Sequence, residues 1–259
     1  MRGRIAAGVA VIAVIAVVSF FWASPGIADG SLRLQPPSLQ HIAGTDTLGR
    51  DLAGRIGYGV LVSFSIALPV SVISLILGII LAFAFSGART LSTPFLMLSD
   101  TMKSLPPILL ALFLNALSGP GLVKLIAALS IGNIPNIARL CSARVIVLRS
   151  EGPALAASLM GIGRGRIFIR HILPFLMPYL GAEAITIFSA SILTEASLSY
   201  LGCGVPPMIP SIGSILAEGR SVMLSAPWMI LIPAVVLAAV GIALEMIVSG
   251  LSESDSASH

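Results

Sequence analysis

Long apolar runs separated by short polar stretches dominate the chain. Each run that approaches 20 residues is long enough to cross the hydrocarbon core of a bilayer. The shorter run 108–117 follows Pro106-Pro107, which predicts an irregular or kinked third span. The pattern therefore predicts an all-α membrane protein with about six transmembrane helices. The apolar runs cover 5–22, 58–85, 108–117, 122–147, 172–200 and 226–247.

The first apolar run leaves two interpretations open. Its length of about 18 residues exceeds the roughly 7 to 15 of a signal peptide and favours an uncleaved anchor. The small residues of Gly26-Ile27-Ala28 also fit a signal-peptidase site, and cleavage would leave a five-helix core. We expect an anchor helix over 1–23, an outer connector over 24–57 and a five-helix core over 58–250. A cytoplasmic loop at about 150–171 lies within this core, and a cytoplasmic tail covers 251–259.

Composition agrees with a lipid environment. Hydrophobic residues make up 56% of the 259 residues and charged residues only 10%, with a mean hydropathy of +1.02. A soluble domain with a hydrated surface does not have this balance. The net charge of +4 could suggest nucleic acid, but the basic residues are scattered among apolar runs. We therefore expect a lipid bilayer, and no nucleic acid, as a partner.

The basic residues indicate the orientation of the chain. With six spans and a cytoplasmic N-terminus, nine of them fall on the cytoplasmic side and five on the outer side, with Arg139 left at the membrane's edge, which agrees with the positive-inside rule. Both termini are then cytoplasmic. The cytoplasmic set is Arg2, Arg4, Arg89, Lys103, Arg144, Arg149, Arg164, Arg166 and Arg170, and the outer set is Arg33, Arg50, Arg55, Lys124 and Arg220.

Catalytic, nucleotide-binding and metal-binding motifs are absent from the sequence. It has no His-Glu-x-x-His, no Gly-x-Ser-x-Gly and no phosphate-binding Gly-x-x-x-x-Gly-Lys-Ser/Thr loop. Cys141 and Cys203 lie far apart and without metal-ligand spacing. We expect no cofactor and no metal site, and any ATP must bind another chain.

An intramembrane enzyme would need a pair such as Glu195 with His171, which the pattern places at opposite membrane faces. A channel would need a filter-like segment, which we do not find.

Three glutamates fall within or near predicted spans, where a central charge costs about 2.5 to 3.5 kcal/mol on insertion scales. For Glu195, lining of a translocation path and bracing of neighbouring helices are equally good interpretations. For Glu183 and Glu245 a structural role is favoured over path lining.

A short Ala-rich segment in the basic cytoplasmic loop also has two interpretations. Ala156-Ala157-Ser158-Leu159-Met160-Gly161 could form a short helix with a smooth surface for another protein. It could equally be a basic loop that only sets the topology.

Three stretches of the chain carry a family resemblance. Ala156-Ala157-x3-Gly161, followed by Leu173-Pro174, resembles the cytoplasmic Glu-Ala-Ala loop of permease subunits in binding-protein-dependent ABC importers. Gly44-Thr45-Asp46-x-Leu48-Gly49-Arg50-Asp51 is similar to the segment before the second span in the dipeptide, oligopeptide and nickel branch. The stretch from Glu195 to Gly202, with Glu218-Gly219-Arg220, looks like the last outer connector of that branch.

The resemblance implies a type I importer permease, the second of two unlike permease subunits, in a bacterial inner membrane. Such a subunit is not an enzyme and forms half of a path for di- or oligopeptides, with nickel or a metal chelate as the alternative cargo. The implied partners are the other permease, two ATP-binding subunits and a periplasmic or lipid-anchored substrate-binding protein. The ATPase-coupling loop would include Ala156, Ala157, Gly161, Leu173 and Pro174.

Two residues depart from the family's loop pattern. Leu155 stands where that loop usually has Glu, and Pro153 falls where a helix is expected to lead into it. These departures put the geometry of the coupling helix in question.

Overall fold

The structure, a computed structural model, describes residues 2–86, 97, 107–119, 121–150 and 152–256. Within these ranges the only extended pairing is an isolated bridge between Thr45 and Asp51. A 3₁₀ turn covers Gly30–Leu32, and a π turn covers Phe168–Ile172. The helices of these ranges are α1 (Arg2–Trp22), α2 (Leu52–Ser86), α3 (Pro107–Ser118), α4 (Leu122–Ser150), α5 (Gly152–Leu159), α6 (Arg164–Ile167), α7 (Leu173–Tyr200), α8 (Ile212–Arg220) and α9 (Trp228–Ser256).

Among the described residues, five helical stretches are long and apolar enough to cross a bilayer. They are α1, α2, α4, the continuous run of α6, the π turn and α7, and α9. Each of α2, α4, α7 and α9 has a proline beyond its first turn, which a helix surrounded by other helices and lipid tolerates. The all-α membrane fold predicted from the apolar runs is confirmed.

The sixth predicted span stays a prediction, although the course of the helices supports it. Gly78 of α2 lies against Ile137 of α4, and the Ser74 hydroxyl donates to the Ser130 carbonyl at 3.4 Å. Residue numbers rise together along both helices, so α2 and α4 run parallel. The chain must therefore return across the bundle between them, and α3 belongs to that return. Pro106 of the predicted kink lies outside the described residues.

Helices α1 and α9 are antiparallel neighbours with close backbone contact. A Cβ atom on Gly8 would lie 2.6 Å from the Ala243 carbonyl oxygen, and one on Gly250 would meet the Ile5 side chain. The far end of α1 approaches Ile232 and Val236 near the start of α9. Both ends of the described chain therefore lie at the same end of the bundle.

Several helices extend beyond the apolar runs. Helix α2 begins at Leu52, not at Tyr58, because the Asp51 carboxylate accepts the backbone N–H of Gly54 at 2.9 Å and caps the helix. Helix α4 is continuous through Pro135, and α9 extends to Ser256, into the predicted tail.

Candidate functional sites

The Ala-rich segment of the predicted cytoplasmic loop folds as the short helix α5. Pro153 is its second residue, where the missing backbone N–H would have no partner inside the helix, so the proline does not break it. The side chains of Ala154 and Ala157 are buried against the bundle, whereas Ala156 is exposed. Leu155 is thus an exposed residue of α5, 40% accessible, and does not disturb the inner face.

Gly161 ends α5 in a Schellman motif. The N–H of Ile162 donates to the Ala157 carbonyl and the N–H of Gly161 to the Ser158 carbonyl, each at 3.1 Å. Gly161 adopts φ +76°, a conformation that glycine reaches without steric cost, and open space surrounds the position of a Cβ atom there. The predicted glycine therefore fixes the direction in which the chain leaves the helix.

Leu173 and Pro174 lie where the loop joins α7. The N–H of Leu173 donates to the Phe168 carbonyl five residues earlier, which closes the π turn. Pro174 has no N–H to donate, and the wider turn accommodates the missing donor. Leu173 is half-buried and Pro174 is exposed.

At the opposite end of the bundle, Asp46, Arg50, Arg55 and Glu218 form what we term the outer ion-pair cluster. Asp46 Oδ2 accepts hydrogen bonds from Arg55 Nη1 at 2.5 Å and from Arg50 Nε at 2.6 Å. Arg55 also binds both carboxylate oxygens of Glu218, at 2.6 and 2.8 Å. Such bidentate, charge-assisted bonds are among the strongest in proteins. The cluster joins the outer connector to the first turn of α2 and to α8.

Asp46 is the centre of the outer ion-pair cluster, and its residue surface is fully buried. Its Oδ1 atom accepts the backbone N–H groups of Leu48 and Arg50 at 2.8 and 2.9 Å. Burial raises the pKa of this carboxyl, but those two N–H groups, the Arg50 side chain and the Arg55 charge outweigh burial. They hold the pKa of Asp46 below its ordinary value of 3.8.

Two glycines in the segment 44–51 allow other parts of the connector to approach the backbone closely. Gly44 and Gly49 have φ +78° and +76°, and a Cβ atom on Gly49 would overlap the Asp29 carbonyl. The Thr45 hydroxyl accepts the Gln35 N–H at 2.8 Å and donates to the Leu32 carbonyl. The connector is therefore folded back on itself and held by hydrogen bonds between its own residues.

Glu195 lies inside the bundle, fully buried, and accepts two serine hydroxyls. Ser63 of α2 donates to Oε2 at 2.6 Å, and Ser199 of α7 donates to Oε1 at 2.7 Å. The Ser199 oxygen also accepts the N–H of Val205 at 3.2 Å. Glu195 thus contacts α2 directly, and the following connector through Ser199.

The structure brings the predicted outer-motif residues together and places the predicted coupling loop at the other end of the bundle. Gly44, Thr45, Asp46, Gly49, Arg50 and Asp51 lie in one folded segment, where the Asp51 carboxylate also lies 3.2 Å from His41 Nδ1. The sequence did not reveal the pairing of Asp46 and Arg50 with Arg55 and Glu218. Sequence inspection also missed α8, although Ser211 and Ser214 form a capping box that marks its start.

The fold of the chain has counterparts among solved structures. Two solved structures of the inward-facing MetNI methionine ABC transporter match the chain with a TM-score of 0.53 each. The matches cover 74% and 75% of this chain and 94% and 93% of those chains, at 19% and 20% identity. They show a shared fold, and the predicted type I importer permease architecture is confirmed.

The family follows from sequence. A family model described as "Binding-protein-dependent transport system inner membrane component" matches residues 74–253. The chain belongs to this family of transport subunits, so the predicted family membership is confirmed. A Brucella suis protein, named as a candidate peptide transport system permease, is 39% identical over 96% of this chain and 86% of its own length.

Two further relatives have specific names. The dipeptide transport system permease protein DppC of Alkalihalophilus pseudofirmus is 36% identical over 86% of this chain and 74% of its own length. The di/tripeptide transport system permease protein DppC of Pseudomonas aeruginosa is 35% identical over 85% and 75%.

Proposed function

We propose that this chain is one of two unlike permease subunits of an ATP-driven peptide importer and forms half of its translocation path. The exposed helix α5 carries the proposal, because it offers a surface on which a separate ATPase can dock. The names of the relatives support peptides as the cargo over nickel or a metal chelate.

The outward side of α5 has an exposed apolar surface, formed by Leu155, Leu159 and Met160. Leu159 and Met160 are 81% and 78% accessible, so two large apolar side chains are exposed next to each other. Exposed arginines follow at 164 and 166. We therefore assign this apolar surface to a complementary apolar groove on one ATP-binding partner, with acidic residues at the rim of the groove.

The inner side of α5 explains how movement would reach the spans. Ala154 and Ala157 belong to the same buried cluster as Val145 of α4, Ile167 of α6 and Phe168 of the π turn. Small, buried side chains leave little room for α5 to slide independently of these neighbours. Displacement of α5 by the ATPase would therefore move the adjoining ends of α4 and α7 as a rigid body.

The same geometry supports the proposed orientation. Phe83 near the end of α2 stacks on Phe168, with ring centroids 4.8 Å apart, so the end of α2 lies beside the coupling loop. The α2 helix starts at the opposite end, where it joins the outer ion-pair cluster. The basic residues cluster around the loop, so we place the loop end in the cytoplasm and the outer ion-pair cluster outside. Helix α1 is antiparallel to α2, because Gly57 near the start of α2 lies against Ser19 near the end of α1. The N-terminus then lies on the cytoplasmic side.

On the outer side, the ion-pair cluster would present a rigid surface to the substrate-binding protein. It fixes the connector and α8 to α2 through the Arg55 and Glu218 contacts. Glu195 serves, in this proposal, as a brace between α2 and α7, because both of its carboxylate oxygens are occupied by serine donors.

Docking can be tested by cross-linking from Leu159→Cys to the ATPase in membranes that contain the whole importer. Leu231→Cys is a matched control, because Leu231 is 61% accessible at the outer end of α9. We expect a cross-link only from position 159. Cross-linking from neither position, or equally from both, would contradict docking at α5.

Cargo can be tested through ATP hydrolysis in the same membranes. We expect a dipeptide loaded on the binding protein to stimulate hydrolysis, whereas nickel does not. Stimulation by nickel alone would replace peptides with a metal cargo. Hydrolysis that no cargo stimulates would overturn the importer assignment.

A further inference from the structure

An apolar cavity of about 370 Å³ lies between α1, α2 and α9 at the outer end of the bundle. Ile42 and Ala43 of the connector line it on the outer side. Among the described residues of its lining, only Ser19 and Trp22 have a polar side-chain atom, and none is charged. An apolar protein cavity of about 150 Å³ excludes water and accepts benzene, so a cavity of this size suits a longer hydrocarbon.

The course of α1 explains why the cavity exists. At the end that we place in the cytoplasm, α1 touches α9, where a Cβ atom on Gly8 would lie 2.6 Å from the Ala243 carbonyl oxygen. At the outer end α1 instead touches α2, where a Cβ atom on Gly57 would lie 3.2 Å from the Ser19 carbonyl oxygen. Helix α1 therefore passes from one neighbour to the other, and the cavity is the space left beside Ile232 of α9.

The rim of the cavity is apolar and exposed, whereas its wall is buried. Val14 and Val18 of α1 and Ile42 of the connector are exposed at the rim. Ala43 and Ile56, in the wall, are buried. A spanning helix whose outward side chains are large and apolar faces lipid, so the cavity opens to the hydrocarbon layer and not to water.

The cavity is about as long as one lipid leaflet is deep. Its lining on α1 runs from Val14 to Trp22, which are about 12 Å apart along the helix axis. The hydrocarbon core of a bilayer is about 30 Å thick, so one leaflet contributes about 15 Å. Trp22 lies at the outer end, and tryptophan favours the boundary between hydrocarbon and headgroups. A helix of a partner subunit, about 10 to 12 Å wide, fills on the order of 1000 Å³ over the same length and does not fit.

We propose that this cavity binds one acyl chain of a phospholipid from the outer leaflet, with Trp22 at the level of the lipid ester groups. The chain lies along α1 and completes the packing of its outer half against α2 and α9. Because no charged side chain is among the described lining residues, the site selects the hydrocarbon chain and not the headgroup.

Phospholipids with a photoreactive diazirine on one acyl chain test this site, because the carbene formed on irradiation inserts into the side chain beside it. The purified full chain is placed in nanodiscs that contain the probe, and labelled residues are identified by mass spectrometry. A diazirine near the carboxyl end of the acyl chain should label Ile56, which lipid outside the cavity does not reach because Ile56 is buried. A diazirine near the methyl end should label Ile15, which lies deeper in the membrane.

A variant that fills the cavity separates bound lipid from surrounding lipid. Ala53 of α2 belongs to the lining, so Ala53→Phe places a ring in the cavity. We expect at least about a tenfold loss of labelling at Ile56, because displacement of two methylene groups already lowers an affinity by that factor. Ala13→Phe adds the same side chain at an exposed position of α1 outside the lining and should leave the labelling unchanged.

Four outcomes would overturn the inference. They are an unlabelled Ile56 in wild type, equal labelling of Ile56 in wild type and Ala53→Phe, and labelling by an anionic but not by a zwitterionic phospholipid with the same chain. The fourth is labelling in the isolated chain that disappears in the complete importer, which would assign the cavity to a side chain of a partner subunit. If Ala53→Phe does not fold, the depth order of the two wild-type probes decides, and identical labelling by both would overturn the site. Uptake is measured separately, so these outcomes leave the proposed function untouched.

Discussion

Replacement of Arg55 by alanine tests whether the outer ion-pair cluster holds the outer end of the bundle together. The Arg55 side chain is 3% accessible and binds both acidic members of the cluster. Arg50 is a natural comparison, because its side chain is 21% accessible and it also binds both acids, with a longer contact of 3.3 Å to Glu218.

The expected loss follows from burial. Removal of one partner from a buried ion pair costs about 3 to 5 kcal/mol, because the remaining charge is left without compensation. Asp46 keeps Arg50 and two backbone donors, and Glu218 is 34% accessible, so water can replace its lost partner. We therefore expect about 3 kcal/mol for Arg55→Ala, the lower end of that range. Arg50→Ala leaves the buried Asp46–Arg55 pair intact and should cost about 1 kcal/mol.

Thermal unfolding of the purified chain in lipid nanodiscs, at one heating rate, measures the difference. Each kcal/mol lowers the midpoint by about 2 to 4 °C for a chain of this size, so Arg55→Ala should lower it by about 6 to 12 °C and Arg50→Ala by about 2 to 4 °C. The double variant Arg55→Ala/Glu218→Ala should lose less than the sum of its single changes. Equal midpoints for Arg55→Ala and Arg50→Ala, or strict additivity, would refute the reasoning.

Three other predictions concern separate sites. The pKa of Asp46 is lowered in the folded state, so its contribution to stability is fully present above pH 3.8 and is lost as the pH falls through the folded pKa. Acidification should therefore destabilise Asp46→Asn less than wild type. Equal sensitivity of the two proteins to acid would contradict this. Glu195→Gln should lower the unfolding midpoint but retain uptake; lost uptake at an unchanged midpoint would indicate path lining. Gly161→Glu should abolish ATPase docking and uptake, whereas intact docking and uptake would refute a coupling role.

The hydrophobic pattern predicts most of the fold, because span length is set by the bilayer and by little else. The start of α2 shows where this reasoning fails. The first six residues of α2, 52–57, precede the predicted start at Tyr58, and Arg55 lies among them. Its charge is compensated by Asp46 and Glu218, so the helix extends through a residue that hydropathy places outside it. Only the three-dimensional contacts reveal this compensation.

Some residues of the candidate sites could likewise be predicted from local sequence, and others could not. Gly161 and the alanines of α5 were predictable, because a Schellman end and a smooth helix face leave local signals. The partnership of Arg55 with Glu218 was not, since 163 residues separate them and no local rule joins them. For Pro153, sequence suggested a disturbed helix, but its place in the first turn of α5 makes it compatible.

In the proposed importer, this chain carries peptides across a membrane at the expense of ATP hydrolysed by another subunit. The most direct measurement is accumulation of labelled dialanine inside proteoliposomes that contain the complete importer, with ATP inside and the loaded binding protein outside. We predict accumulation above the external concentration that requires ATP, the binding protein and this chain. Equilibration without ATP, or accumulation when this chain is omitted, would contradict the claim.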